Sequence, residues 1–465
     1  MPSKKKLFGT SGIRGKIKEE VTSQLALNVG KALATYLGSP ANVVIGYDTR
    51  TTNQMLENAI IAGLLESGIN VFKLGMVPTP LVGYATNKLN ADAGIMITAS
   101  HNPSEYNGIK LWNKNGMAYT PSQEEEIEKI YHSNKFIKPQ WENIGNIYHI
   151  EELIDDYVEE ILNKVDTTAI KEAKLKVVVD SASGAGSELS PLIFRKAGCE
   201  VISLNSQADG FFPGRNPEPN NANLKDLKKV VIATKADLGI AHDGDADRMI
   251  SVDEKGRVSE FDKLLAIISK NMVNESNKKI ITTVDAGLCM DDSIASVGGK
   301  IIRTKVGDVN VAEAIIDEKA VFGGEPSGTW IHPDFCMCPD GILSGLRIAE
   351  IVAKNGSLSQ LLDNIKDYPN IREKIICSKE EKYKVMKNME NLLTDAFDNI
   401  DNINSIDGVR LTFTDGSWVL VRPSGTEDYV RITLEGKTQE IAEYIKNKTS
   451  AIIKRNLNNN YNNNY

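Results

Sequence analysis

The sequence predicts an α/β chain in which one α/β unit is used three times and a smaller α+β unit follows. Three observations predict it. Short β-branched runs recur at corresponding places along the first three-quarters of the chain, each set ends in a polar loop bearing Gly or Pro, and the last quarter switches to an antiparallel pattern. The chain has 465 residues, about three times the ~150 that one domain commonly takes, so several cores are expected. A composition that is 41% hydrophobic and 25% charged is that of globular domains and excludes bulk disorder or a fibrous repeat.

The first strands of the three units are Val43-Val44-Ile45, Val177-Val178-Val179 and Ile280 to Val284, continuous apolar runs of the kind buried in parallel sheets. A helical stretch follows each, then a second run: Val71 to Leu74, Val201 to Leu204 and Lys300 to Ile302. Third strands come next. Gly94 to Ile97 leads into Thr98-Ala99-Ser100-His101-Asn102-Pro103, Leu238 to Ala241 into His242-Asp243-Gly244-Asp245-Ala246-Asp247, and Ala320 to Phe322 into Gly323-Gly324-Glu325-Pro326-Ser327-Gly328. Ligands of parallel sheets bind beyond the carboxyl ends of the strands, so chemistry is expected on these three loops. Polar segments such as Glu151 to Asn163 and Lys379 to Lys382 place the domain edges at 1–150, 151–255, 256–370 and 371–455. In the fourth domain Val409 to Phe413, Trp418 to Arg422 and Tyr429 to Leu434 read as a meander, closed by a helix over Thr438 to Lys454. Residues 456–465 are mostly Asn and are expected to be disordered.

The formal charge is −8, from 54 basic and 62 acidic residues spread along the chain, which argues against a nucleic-acid binder. No run of 18 apolar residues exists, so no membrane span is expected, and Lys4-Lys5-Lys6 is followed by Gly9-Thr10-Ser11-Gly12 rather than a signal-like apolar stretch. The expected compartment is the cytoplasm. The five cysteines are scattered and odd in number, as suits reduced thiols; Cys336 and Cys338, with no second close pair, read as loop thiols rather than a zinc site.

Asp243, Asp245 and Asp247 alternate directly after a strand, and three carboxylates on one loop call for a hard divalent cation such as Mg²⁺. An EF-hand is excluded, because its obligatory Gly would fall at Arg248. Ser100-His101 pairs a hydroxyl with a base, either as a nucleophile or as a capping serine in a turn. A hydrolase elbow is excluded by Thr98 and Asn102 at its two Gly positions. Arg422-Pro423-Ser424-Gly425-Thr426 combines an Arg fork, two hydroxyls and a Gly, which suits either holding a phosphate without hydrolysing it or a tight turn between strands.

These segments, taken with Phe8-Gly9-Thr10-Ser11-Gly12-Ile13-Arg14-Gly15, Asn107-Gly108-Ile109-Lys110 and Gly324-Glu325-x-Ser327-Gly328, resemble in sequence and order the α-D-phosphohexomutases. That family includes phosphoglucomutase, phosphomannomutase and phosphoglucosamine mutase. The resemblance runs from about residue 7 to 450 and implies three similar mixed-sheet α/β domains and a smaller α+β C-terminal domain around a central cleft. Domain I would carry the phosphoserine loop, domain II the metal loop, domain III the sugar-binding loop and domain IV the phosphate-binding loop.

By the same resemblance Ser100 carries a phosphoryl group as phosphoserine, and Ser100, Asp243, Asp245 and Asp247 hold one Mg²⁺. Phosphoserine and three aspartates together need such a cation. Arg14, His101, Lys110 and Arg248 would serve the transferring group, with Lys110 at the place of the family's acid/base lysine. Gly307, Asp308, Glu325 and Ser327 would hold the sugar, and Arg422, Ser424, Gly425, Thr426 and Arg431 the phosphate that is not transferred. The implied reaction interconverts hexose 6-phosphate and hexose 1-phosphate through a hexose 1,6-bisphosphate intermediate. The opening Gly9 to Gly15 is closest to the phosphoglucosamine mutase subgroup. Phosphomannomutase/phosphoglucomutase is the alternative, and a phosphosugar-binding protein the non-enzyme alternative. Pro326, Thr329 where many relatives carry His, and Glu427-Asp428 depart from the family pattern and leave the preference at the sugar's 2-position to loop shape. The expected partner is a small phosphosugar, with neither nucleic acid nor membrane; a homo-oligomer is compatible with the sequence.

Overall fold

The computed structural model of the chain describes residues 6–9, 11–424 and 428–462. Four sheets follow one another along it. The first holds β1 (Ile13–Lys16), β2 (Ala41–Tyr47), β3 (Ile69–Met76), β4 (Ala93–Ile97), β5 (Tyr106–Asn113) and β6 (Ile147–His149), in the spatial order β1-β5-β4-β2-β3-β6. The second holds β7 (Lys176–Asp180), β8 (Glu200–Leu204), β9 (Leu238–His242) and β10 (Met249–Asp253), ordered β10-β9-β7-β8. The third holds β11 (Lys279–Thr283), β12 (Lys300–Thr304), β13 (Phe322–Gly324), β14 (Trp330–His332) and β15 (Cys336–Pro339), ordered β12-β11-β13-β14-β15.

The repeat is one pattern used three times. The first strand lies between the second and third, parallel to both, and a fourth strand returns antiparallel against the third: β5 on β4, β10 on β9, β14 on β13. The mixed sheets come from this returning strand. Its consequence is that residues 98–105, 243–248 and 325–329 are the same connection in each unit, at the carboxyl end of the parallel strands.

The fourth sheet, β16 (Asn370–Ile376), β17 (Ile400–Asn404), β18 (Val409–Phe413), β19 (Trp418–Pro423) and β20 (Tyr429–Glu435), is wholly antiparallel in the order β16-β20-β19-β18-β17. Two details depart from the sequence reading. Cys336 and Cys338 lie on strand β15, buried, not in a loop. The last helix runs Gln439–Asn462, so the structureless tail expected from residue 456 is corrected as far as Asn462. Ile453 and Leu457 are buried in the fourth core and carry the helix past Lys454, from where it propagates into the Asn run at one hydrogen bond per residue.

One apolar core runs through all three repeats, from Val44, Leu81 and Trp112 through Val178 and Ile240 to Phe322 and Leu343. The other face of the first sheet has its own core, around Val43, Leu56 and Ile95. The fourth domain has another, around Leu411, Val421 and Ile432. Because the shared core fixes repeats one to three against each other, their equivalent loops are brought to one place.

Candidate active site

The Ser100 loop and the aspartate loop meet directly. Ser100 is 1% exposed and in the left-handed region, with φ +51°. Its Oγ donates to Asp243 Oδ2 at 2.6 Å and lies 3.3 Å from His101 Nδ1. The approach requires a glycine: a Cβ on Gly244 would stand 2.5 Å from the Ser100 carbonyl oxygen. From the first repeat, Thr79 at the start of helix Thr79–Lys88 donates its backbone N–H to the Asp245 carbonyl oxygen (2.9 Å) and its hydroxyl to Asp245 Oδ2 (2.6 Å). From the third, Gly341 N–H donates to Ala246 O (3.1 Å), and Arg248 bridges Thr329.

Asp243, Asp245 and Asp247 are buried and offer carboxylate oxygens within 4.8 Å of one another. Lys110, on β5, donates to Asp245 Oδ2 at 2.9 Å and Asp247 Oδ2 at 2.7 Å. Burial by itself would lower the lysine pKa, but Asp245 and Asp247 outweigh it and hold the ammonium protonated. Burial and its two neighbouring aspartates push Asp243 well above the usual carboxylate range. The other oxygens of Asp245 and Asp247, both Oδ1, are buried without a hydrogen-bond partner. Orphaned hard oxygens beside a carboxyl that resists ionisation fit a divalent cation with oxygen ligands.

A cavity of about 320 Å³ opens beside this cluster. Most of the anticipated site residues line it: Arg14 and His101 from the first repeat, Arg248 from the second, Gly307, Asp308 and Glu325 from the third, and Arg422, Ser424 and Arg431 from the fourth domain. Arg14 reaches Asn102 Oδ1 at 3.3 Å, and burial lowers its pKa. Burial and the cations Arg248 and Arg14 push His101 down to about 3, so its ring is neutral before an anion arrives. Glu325 Oε1 accepts the Gly307 N–H at 2.7 Å; burial, then Asp308 and Asp285, push its carboxyl up to about 8. Arg431 donates to the Tyr429 hydroxyl at 2.8 Å. Ser327 stands apart from the lining, its hydroxyl turned to Thr329 Oγ1 at 3.1 Å. Gly425 and Thr426 lie outside the described residues.

Several functional neighbours escaped the sequence reading. Glu218 lies 3.6 Å from His101 Nε2, and Asp407 holds Arg422 Nε at 2.9 Å while accepting the Val306 N–H at 3.1 Å. Arg50 and Arg215 support the two meeting loops from behind. Asp48-Thr49-Arg50, polar residues directly after a buried strand, was the one available signal for the first of these.

The chain matches, in order, phosphoglucomutase/phosphomannomutase alpha/beta/alpha domain I over residues 5–138, domain II over 155–256, domain III over 260–368 and the C-terminal domain over 374–452. It is 66% identical over 453 residues to a probable phosphoglucosamine mutase of Methanobrevibacter smithii, covering 97% of this chain and 99% of the relative. A probable phosphoglucosamine mutase of Methanothermobacter thermautotrophicus is 59% identical, with 97% and 98% covered. Among solved structures, a phosphoglucomutase/phosphomannomutase family protein of Burkholderia thailandensis superposes with a TM-score of 0.86 at 27% identity, covering 97% of this chain and 98% of that one. With four domains matched in sequence, order and fold around one shared cavity, the chain belongs to the phosphoglucomutase/phosphomannomutase family.

Proposed function

We propose that this chain is a phosphoglucosamine mutase that interconverts glucosamine 6-phosphate and glucosamine 1-phosphate through phosphorylated Ser100. The observation that carries the reaction is the Ser100 hydroxyl 2.6 Å from Asp243, in an acidic cluster beside a cavity that Arg422 of another domain also lines. The choice of sugar is supported by the names of relatives up to 66% identical over nearly the whole chain.

Ser100 Oγ gives its phosphoryl group to the free hydroxyl of the bound monophosphate, which makes the 1,6-bisphosphate. It then accepts the other phosphoryl group once the sugar has turned. Asp243, Asp245 and Asp247 would hold one Mg²⁺ with Ser100, and the cation supplies charge neutralisation at the transferring group. Lys110, kept protonated by its two aspartates, offers a proton and a positive charge beside that group, and Arg14 and Arg248 add fixed charge. Arg422, Ser424 and Arg431 grip the phosphate that stays, with Gly425 and Thr426 assigned to the same clamp. Glu325, Ser327, Gly307 and Asp308 hold the sugar. One fixed clamp thus serves two sugar orientations. The reading places the enzyme in the cytoplasm, in keeping with five buried free cysteines.

A coupled assay with the 1-phosphates of glucosamine, glucose and mannose, primed with a trace of bisphosphate, tests it. The highest kcat/KM is expected for glucosamine 1-phosphate. A higher value for mannose or glucose would overturn the choice of sugar, and no turnover of any would overturn the enzyme.

A further inference from the structure

Both loops that meet at Ser100 and Asp243 are held from behind by a buried arginine, and each arginine pairs with an aspartate at the end of the corresponding strand of its repeat. Asp48 stands immediately after β2, and Asp180 closes β7, the corresponding strand. Arg50 gives its Nε–H to Asp48 at 3.1 Å and its other donors to the carbonyl oxygens of Ser100 (3.0 Å), Asn102 (2.6 Å), Pro103 (2.6 Å) and Tyr106 (2.8 Å). All of the guanidinium's donors are thereby used. Arg215 gives its Nε–H to Asp180 at 2.9 Å and an Nη2 donor to the carbonyl oxygen of His242, the residue before Asp243, at 2.6 Å. Neither lines the cavity.

The two supports touch. Phe212, from the stretch leading to Arg215, packs its ring 5.1 Å from the Arg50 guanidinium carbon, and a Cβ on Gly210 would stand 2.4 Å from the Thr49 carbonyl oxygen. Asp48 also accepts the Thr98 hydroxyl at 2.7 Å, and that hydroxyl oxygen accepts the Ser100 N–H at 2.8 Å. Ser100 is therefore held on both sides of its peptide while it keeps a conformation that L residues adopt only at a cost. Four carbonyl oxygens, that of Ser100 buried and the other three partly so, converge on one point and repel each other unless a planar, multidentate cation joins them, and an ammonium with three donors cannot reach all of them.

We propose that Arg50 and Arg215 are positioning residues for phosphoryl transfer, Arg50 setting the Ser100 hydroxyl and Arg215 the aspartate loop. This rests on Ser100 being the phosphoryl carrier. Because the sugar and phosphate grips lie in the third and fourth domains, the arginines govern turnover and not substrate affinity.

The test uses full-length Arg50→Lys and Arg215→Lys, with Arg257→Lys as a control ion pair away from the cavity, where Arg257 meets Asp253 at 2.7 Å and Asp363 at 2.8 Å. Arg50→Lys should lower kcat about ten- to a hundredfold with KM unchanged, as misplaced reacting groups do. Arg215→Lys should lower kcat similarly and also weaken Mn²⁺ binding, followed by electron paramagnetic resonance on the unphosphorylated chain, by about tenfold. Arg257→Lys should change neither. Should a Lys variant not fold, Phe212→Leu, which removes only the ring under Arg50, should lower kcat with KM unchanged. Wild-type kcat in these variants, a fall in kcat matched by a rise in KM, or an equal fall in Arg257→Lys would overturn the proposal. A wild-type chain without mutase activity would instead overturn the function, and the Mn²⁺ measurement would still decide Arg215.

Discussion

Ser100 combines a left-handed backbone, near-complete burial and a 2.6 Å hydrogen bond to Asp243, and a serine that only capped a turn would need neither of the last two. Its burial implies that it is reached from the cavity, with His101 at the boundary between the two. Ser100→Ala should leave the fold intact, because only one hydroxyl is removed, and should lower mutase activity by roughly 10³-fold or more, the scale of losing a nucleophile. Intact-mass measurement should show a phosphate on the wild-type chain and none on the variant. Equal turnover by Ser100→Ala would remove the phosphoserine from the mechanism. At the proposed clamp, Arg422→Ala would lose a charged hydrogen bond to the substrate phosphate, worth about 1.5–3 kcal/mol, so KM should rise roughly ten- to a hundredfold. Asp407→Asn keeps the Val306 contact and removes only a partly exposed ion pair, so it should move KM about fivefold at most. If Arg422→Ala retains the wild-type KM, the clamp lies elsewhere.

At the scale of elements, the parallel strands and the three loops were legible because their signals are local: β-branched runs, then Gly, Pro and Asp at the strand ends. The antiparallel strands β10 and β14 were not, since a run such as Met249 to Val252 is buried on both faces and its periodicity does not reveal its direction. Arg215 was illegible for another reason. Its partner Asp180 is 35 residues away, and only the completed sheet brings them together. Helix Gly341–Asn355 illustrates what an element's end can store. Its N-cap Asp340, 1% exposed, accepts the N–H groups of Ile342 and Leu343 and the Tyr157 hydroxyl at 2.8 Å, yet burial pushes its carboxyl up to about 6. A carboxyl raised in the folded state contributes stability that is fully present below its unfolded pKa of about 3.8 and is lost as pH rises through about 6. Asp340→Asn keeps a good cap and cannot ionise. Relative to wild type, the variant should therefore gain up to about 3 kcal/mol between pH 4 and 7, since a tenfold change in proton affinity is worth about 1.4 kcal/mol. Denaturant titrations at several pH values check this, and a difference that stays flat with pH would show that Asp340 is ionised at no cost.

Across the whole molecule, the first three repeats share a continuous core, whereas the fourth domain joins them through a small apolar cluster of Val284 and Leu288 with Trp418 and Leu420. Strand β19 makes this junction by alternation. Val419 and Val421 point into the fourth domain's own core, and Trp418 and Leu420 point to the third repeat. Arg410 strengthens the same face, donating to Val284 O and Ala286 O and stacking 3.9 Å over the Trp418 ring. Docking and the proposed phosphate grip thus fall on one strand, since β19 continues to Arg422 at the cavity. Leu420→Ala, at a residue 2% exposed, removes contact on the docking face while leaving the inner face unchanged. A buried Leu→Ala change costs about 2–5 kcal/mol, and here most of that should fall on the junction. Calorimetry should show the fourth domain melting as a separate, earlier transition with the main transition of repeats one to three unmoved. KM for the phosphosugar should rise, because the proposed clamp is no longer held at the cavity, while the phosphate on Ser100 persists. One cooperative transition lowered as a whole would mean that the four domains fold as a single unit, and that the junction is no weaker than the cores it joins.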